Sequence, residues 1–184
     1  MKCSLKETGI FTSREVLLAL GYEVHAMIGR YNDIAMEAIC FINVELMGKR
    51  NFKADELVID HCRRVAHRCF DLWGNDEQLV GLLHDVLEDC DCMEATLPKL
   101  SEKFSPKICD AVFALTRCEG ESYSDYIRRV SVNRLARRVK LVDLMDNMNL
   151  MRLKNHPDMD DARRQVKYAK AFVKLMEAEM SNDV

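Results

Sequence analysis

Two histidines and two aspartates are the residues of this sequence that are best suited to binding a metal ion. His84 and Asp85 are adjacent, His61 precedes them, and Asp143 lies in a later segment. Imidazole nitrogens together with carboxylate oxygens suit Mn, Fe, Zn or Ni better than Mg or Ca. An ion bound by such ligands keeps positions open for water and for a phosphoryl oxygen. The four residues therefore predict a metal site for hydrolysis, with a nucleotide phosphate as the expected substrate.

Two further carboxylates, Glu88 and Asp89, follow within about one helical turn. Glu88 lies four residues after His84, on the same helical face, where it can act as general base or proton shuttle. Asp89 has the same spacing from Asp85 and is expected to position Glu88 or the nucleophile. Carboxylates at the end of a helix oppose its dipole, and a bound cation would offset that penalty.

The four predicted ligands must come from three helices. His61 is too far from His84 in sequence for a local chelate, so their helices have to cross, as they do in bundle metal sites. His84 and Asp85 diverge by about 100° around a helix, so a shared ion has to lie at the flank between them. Asp143 belongs to a third helix. The remaining histidines, His25, His67 and His156, are interpreted as ordinary core or surface residues.

Composition indicates one all-α domain spanning residues 1–184. The chain has 184 residues, 48% of them hydrophobic and 31% charged, with seven Gly and three Pro. So few turn residues favour long helices, and no strand is predicted. No apolar run approaches a membrane span and no signal peptide is recognisable, so we expect a cytoplasmic protein without a membrane partner. The net charge of -3 argues against nucleic acid as a partner.

Hydrophobic residues recur at helical spacing throughout the chain. The predicted helices are at about 13–20, 33–49, 55–73, 77–89, 97–104, 106–116, 123–130, 133–153 and 160–180. In the last helix, the residues predicted to face the core are Val166, Ala169, Phe172, Val173 and Met176. The oligomeric state is not predicted, although the methionines of this helix suit a dimer contact.

Three separated segments carry a resemblance to a known family: DHCRRVA (60–66), GLLHDVLED (81–89) and VKLVDLMDNM (139–148). In this order they resemble the HD-domain hydrolases, and among these the RelA/SpoT-type and small alarmone hydrolases, which remove pyrophosphate from the 3′ position of (p)ppGpp. The likeness covers about residues 39–153. It implies a single-domain helical bundle of the HD type, closed by the helix at about 160–180.

The resemblance also implies roles for individual residues. One divalent ion, typically Mn²⁺, is held by the residues that match His61, His84, Asp85 and Asp143, and the pair matching Glu88 and Asp89 assists the attacking water. Arg50 matches an arginine beside the substrate's phosphate and base, and Asn147 matches a residue that contacts the ribose. Lys49, next to Arg50, is expected to neutralise phosphate, and Lys140 is placed near the site because it precedes Asp143 by one turn.

The chain departs from the family pattern ahead of the first ligand. The family has a proline and an aromatic residue before that histidine, where this chain has ADELVID (54–60). Asp146 and Leu150 also replace residues frequent in the family. Three functions therefore stay open: a ppGpp 3′-pyrophosphohydrolase, an HD-type phosphatase of another nucleotide (a nucleoside monophosphate, NADPH or a signalling nucleotide), and a catalytically idle nucleotide-binding module.

Overall fold

The protein is described here by a computed structural model that covers residues 31–51 and 53–181. Within these residues the fold is all-α, as predicted, apart from one very short pair of strands. The predicted helix at 13–20 and His25 lie outside the described residues. The helices are α1 (Asp33–Glu45), α2 (Val58–Leu72), α3 (Asn75–Leu83), α4 (Val86–Asp89), α5 (Met93–Lys103), α6 (Pro106–Leu115), α7 (Tyr123–Val132), α8 (Arg134–Asn147) and α9 (Met159–Ser181).

Side-chain caps fix the starts of several helices. Asn32 caps α1 by accepting a hydrogen bond from the backbone N–H of Ala35 (3.0 Å). Asn133 caps α8 in the same way, accepting from Ala136 (3.0 Å). Each amide oxygen satisfies one of the backbone donors that a helix leaves unpaired at its start. The cap at Asn133 was predicted from the sequence, and it places α8 in the register that presents Asp143.

Helices α2, α3 and α8 form the centre of the bundle. Helix α3 packs against α2 and α1, while α8 contacts both α2 and α3. The described residues share one apolar core, to which α2 contributes Val65, α3 contributes Leu82 and α8 contributes Val139, all fully buried. This arrangement fulfils the prediction that the helices carrying the candidate ligands cross each other.

The prediction that the chain contains no strand is wrong for one short segment. Strands β1 (Arg50–Asn51) and β2 (Glu56–Leu57) form an antiparallel pair, with Arg50 opposite Leu57. The connecting turn is held by the Asn51 side chain, whose oxygen accepts hydrogen bonds from the backbone N–H groups of Lys53 (3.0 Å) and Ala54 (3.2 Å). Helix α2 therefore begins at Val58, later than the predicted start at about residue 55.

Two predicted helices are shorter than their sequence patterns suggest. The helix expected at 77–89 is interrupted at His84 and Asp85, between the end of α3 and the start of α4. The helix expected at 133–153 ends at Asn147, and a single 3₁₀ turn (Leu150–Arg152) follows it. Apolar periodicity runs through both interruptions, which is why the sequence alone did not reveal them.

The face of α9 that meets the core differs from the prediction. Ala171 and Leu175 are buried, while Val166, Ala169 and Val173 face outward, and only Phe172 and Met176 pack partly against the core as expected. Helix α9 carries two apolar faces, and the sequence pattern selected the wrong one. None of the described helices is long and apolar enough to cross a membrane.

Candidate metal centre

His84 is held by the carbonyl of the preceding helical turn. Its Nδ1 lies 2.8 Å from the Gly81 carbonyl oxygen, and because a carbonyl only accepts, Nδ1 carries the hydrogen. The lone pair of Nε2 therefore points into the site. This nitrogen is buried and has no hydrogen-bond partner, although carboxylate oxygens of Asp85 (3.2 Å) and Asp143 (3.7 Å) lie nearby.

His61 reaches the same point from α2. Its Nδ1 lies 2.7 Å from an Asp146 carboxylate oxygen, and its Nε2 lies 3.0 Å from Oδ1 of Asp143 and 3.8 Å from Oδ2 of Asp85. The two imidazole centroids are 5.2 Å apart. Burial disfavours the charged form of His61, but Asp143 and Asp146 outweigh it and raise its pKa.

The structure thus brings all four predicted ligands together. One ligand atom from each of His61, His84 and Asp85 lies within 4.8 Å of the others, and Asp143 approaches both imidazoles. Burial of His84 disfavours its charged form, but Asp85 holds the pKa of its imidazole well above the usual value. Two imidazoles and two carboxylates that face one another require positive charge between them. Protons on the imidazoles supply it where their pKa values are raised, and a metal ion supplies it when it replaces those protons. The donor set fits a transition metal, and the role of these residues as ligands stays a prediction.

Asp143 is fixed by neighbours on its own helix. Lys140 lies 2.7 Å from Oδ2, and the Asn147 amide donates to Oδ1 (2.5 Å). Burial disfavours the charged Lys140 amine, but Asp143 and Tyr126 keep its pKa well above the usual value. Lys140 and Asn147 were predicted to bind substrate. In this structure both hold a candidate ligand, and any contact with substrate stays a prediction.

The carboxylate predicted as general base lies at the mouth of the site. Glu88 accepts a hydrogen bond from the backbone N–H of Arg117 (2.5 Å). It lines an open cleft of about 750 Å³ together with Arg117 and the loop that follows it. Glu88 remains accessible to solvent, yet the surrounding protein desolvates its carboxylate enough to raise its pKa. Burial, and next to it the charge of Asp85, likewise raise the pKa of Asp89.

The two basic residues after α1 are engaged elsewhere. Lys49 forms an exposed ion pair with Asp91 (2.6 Å). Arg50 binds Asp55, through the backbone oxygen and through Oδ1 (3.3 Å). No contact joins either of them to a candidate ligand, so their predicted binding of phosphate stays a prediction.

The sequence reasoning missed the residues that support His61. Asp146 is buried, and besides its contact with His61 it accepts hydrogen bonds from Arg64 (3.1 Å) and pairs with Arg152 (2.6 Å). Glu56 joins the two arginines, lying 2.9 Å from Arg64. Burial disfavours the charged form of Asp146, but His61 and Arg64 keep its pKa well below the usual range. The departure from the family pattern at Asp146 was the available signal.

Arg117, a cation that lines the cleft, was also missed. Burial lowers the pKa of Lys167, and the nearby charges of Arg117, Arg164 and Lys140 lower it further. Lys167 lies over the ring of Tyr123 at 4.7 Å from its centroid. Of these cations, Arg164 pairs with Asp161, and Lys140, which was predicted near the site, pairs with Asp143.

Comparison with solved structures gives an informative likeness. The chain superposes with a TM-score of 0.62 on the structure reported as "A metazoan ortholog of SpoT hydrolyzes ppGpp and plays a role in starvation responses". The two share 19% sequence identity over 79% of this chain and 86% of that one. The fold is shared. No family model matches the sequence, and no curated protein matches it either. The resemblance seen in the three sequence segments is thus confirmed for the fold.

Proposed function

We propose that this chain is a metal-dependent phosphohydrolase of nucleotides, with guanosine 3′,5′-bis(diphosphate) as its substrate. Water attacks the phosphorus bound to the 3′-oxygen, the ribose 3′-oxygen is the leaving group, and pyrophosphate is released. The observation that carries the proposal is the buried, unpartnered Nε2 of His84, which faces two carboxylates and a second imidazole. A nitrogen buried in this way is costly unless a cation binds there.

His61, His84, Asp85 and Asp143 would hold one divalent ion, for which Mn²⁺ is our choice on the strength of the family resemblance. A bound ion of this kind supplies Lewis acidity, which makes water more acidic and polarises a phosphoryl group. Lys140 and Asn147 keep the Asp143 carboxylate oriented, and Asp146 does the same for the His61 ring. The chain therefore supplies both the ligands and the groups that orient them.

Glu88 is the proposed proton acceptor. Glu88 lies at the opening of the site, and desolvation raises its pKa toward neutral pH. A carboxylate with a higher pKa binds a proton more strongly and is therefore a better base. Asp89, whose pKa is raised as well, holds a second negative charge next to it. In this proposal Glu88 takes the proton of the attacking water, and Asp89 positions Glu88.

A cation at the cleft supports a phosphorylated substrate. Arg117 lines the cleft together with Glu88, Glu119 and Glu121. Guanidinium groups match phosphate geometry in pairs of hydrogen bonds. The fold shared with a ppGpp-hydrolysing protein favours ppGpp among such substrates.

A phosphatase of another nucleotide is the second candidate. It is favoured by the segment 54–60, which lacks the proline and aromatic residue of the family, and by Arg50, which is bound to Asp55. Both observations concern recognition of the base, so the metal chemistry is the same for both candidates.

A product analysis separates these functions. The Mn²⁺-loaded protein is offered ppGpp, NADPH and a panel of nucleoside monophosphates, and the released group is identified. We expect pyrophosphate from ppGpp. Orthophosphate from another nucleotide selects the second candidate, whereas metal binding without any turnover selects an idle binding module.

Substitution of the proton acceptor tests the mechanism. Glu88→Gln should retain the metal and lose about 10²–10⁴-fold in kcat, because the amide cannot accept the proton. Asp143→Ala should lose the metal itself. Glu102→Gln, the same change at an exposed position of α5, is the matched control and should keep full activity. A fully active Glu88→Gln variant would rule out this assignment.

A further inference from the structure

Helix α9 carries a regular apolar stripe on the side that faces away from the bundle. Met159, Val166, Val173 and Met180 follow one another at seven-residue intervals and are 70%, 56%, 55% and 68% exposed. The stripe spans about 32 Å, since a helix rises about 1.5 Å per residue. Single exposed apolar residues are common on protein surfaces, but a contiguous patch of this kind marks an interaction site.

A second set of apolar residues completes the stripe. Ala162 and Ala169 are exposed and Met176 is half-buried, each lying three residues after a member of the first set. Alternating steps of three and four residues produce the heptad pattern of packed helix pairs. The buried side of α9, with Ala171 and Leu175, is already used against the bundle. The stripe is a separate face, and of its members only Met176, at the edge, packs partly against the core of the described residues.

We propose that a second copy of this chain covers the stripe, with the two α9 helices packed antiparallel about a two-fold axis. Such an interface is self-complementary, as the commonest homodimers are. The proposal is independent of the catalytic one, because it uses no residue of the metal centre or the cleft.

The sizes of the side chains favour the antiparallel arrangement. In a parallel pair, Ala162 would face Ala162 of the partner subunit and Ala169 would face Ala169 of the partner subunit. These small pairs would leave gaps between the layers formed by valine and methionine. In the antiparallel pair, Ala169 meets the partner's Val173, and Ala162 meets the partner's Met180. A small residue then faces a larger one in these layers, which fills the space evenly.

The charges beside the stripe favour the same arrangement. Arg163 and Lys170 border its first half and Glu177 its second half, and all three are exposed. Antiparallel packing brings Arg163 next to the partner's Glu177 at both ends of the interface. Lys170 falls near the two-fold axis, where two long side chains can extend into solvent. The two ion pairs add orientation specificity more than affinity, as charges at the edge of helix pairs do.

The first test measures the mass in solution. Light scattering coupled to size exclusion, across a concentration series, should give twice the chain mass of 21.3 kDa. Val166→Glu with Val173→Glu should weaken dimerisation at least tenfold, because each charge would be buried in an apolar seam. Val132→Glu is the matched control: Val132 is 82% exposed on α7, and its substitution should leave the dimer intact. Circular dichroism verifies that each variant is folded.

A charge exchange tests the direction of the helices. Arg163→Glu alone should weaken the dimer, and adding Glu177→Arg should restore it, since the ion pair is re-formed with reversed signs. A parallel pair predicts no such rescue. A dimer that is unaffected by the double valine variant, or absence of rescue, would overturn the proposal.

Other occupants of the stripe give different results. A wild-type protein that is monomeric at every concentration contradicts the proposal. A monomer whose binding to anionic phospholipid vesicles is abolished by the double valine variant would make the stripe a membrane-surface contact.

Discussion

At His84, one hydrogen bond determines what the residue can do. Because Nδ1 donates to the Gly81 carbonyl, Nε2 of the neutral ring is left as an acceptor, buried beside the carboxylates of Asp85 and Asp143. At His61 the corresponding bond goes to Asp146, a residue that is itself fixed by two arginines. Both rings are therefore oriented before any ion binds, and this lowers the entropy cost of binding one.

The role of Asp146 leads to a prediction about metal affinity. Asp146→Asn keeps the shape of the side chain but removes the negative charge that strengthens His61 as a ligand. The affinity for Mn²⁺ should fall about 10–100-fold, the usual effect of removing such a supporting group. Isothermal titration calorimetry measures this directly.

Asp110→Asn serves as the control, because Asp110 is exposed and lies on α6, a helix that carries none of the candidate ligands. Its metal affinity should equal that of the wild type. If Asp146→Asn also binds Mn²⁺ like the wild type, Asp146 is only part of the buried ion-pair network and does not tune His61.

At the level of helices, the metal centre depends on how closely α2 and α3 approach. Gly81 faces Ala66 across this contact, and a Cβ placed at Gly81 would lie 2.9 Å from the Cα and 3.1 Å from the nitrogen of Ala66. The glycine is needed here for close approach of two backbones. His61 and His84 lie on these same two elements, or directly after them, so the separation of the helices sets the separation of the imidazoles.

Gly81→Ala should therefore reduce both stability and metal binding. Overpacking of this kind lowers the free energy of unfolding by about 1–3 kcal/mol. The better helix propensity of alanine offsets at most about 1 kcal/mol of this loss. The free energy of unfolding, measured with urea, should fall, and the affinity for Mn²⁺ should fall with it. Adding Ala66→Gly should not rescue the variant, because the two closest atoms belong to the Ala66 backbone. Full rescue would show that the contact is with the side chain.

The sequence predicted helices more reliably than their ends and faces. Apolar periodicity located the helices that carry His61 and Asp143, and the cap at Asn133 was correct. The break at His84 and Asp85 was missed because apolar residues continue on both sides of it. The inward face of α9 was wrong because this helix has two apolar stripes, and only the packed structure decides which one is buried.

The site residues were predictable to the extent that their chemistry is visible in their type. Two histidines and two aspartates were expected to converge from three segments, and they do. Asp146 and Arg117 were missed, because His61 and Glu88, which they contact, are far away in sequence and lie beside them only in the folded bundle. Lys140 was predicted from its spacing to Asp143 and Asn147 from the family resemblance, and the structure gives both a contact with that carboxylate.

At the scale of the whole molecule, the candidate ligands lie in the centre of the bundle, where α2, α3 and α8 meet. Cations lie among them, since Lys140 pairs with Asp143 and Arg152 with Asp146. The cleft that Glu88 lines also carries Arg117, Glu119 and Glu121. The candidate ligands His61, His84 and Asp143 are thus buried, whereas the candidate proton acceptor is exposed to solvent.

The most direct test of the central claim is a crystal structure of the protein grown with Mn²⁺ and measured at a wavelength where manganese scatters anomalously. We predict one anomalous peak between the four side chains, within bonding distance of Nε2 of His61, Nε2 of His84 and one carboxylate oxygen each of Asp85 and Asp143. A peak located elsewhere, or one of these four side chains turned away from the ion, would contradict the account.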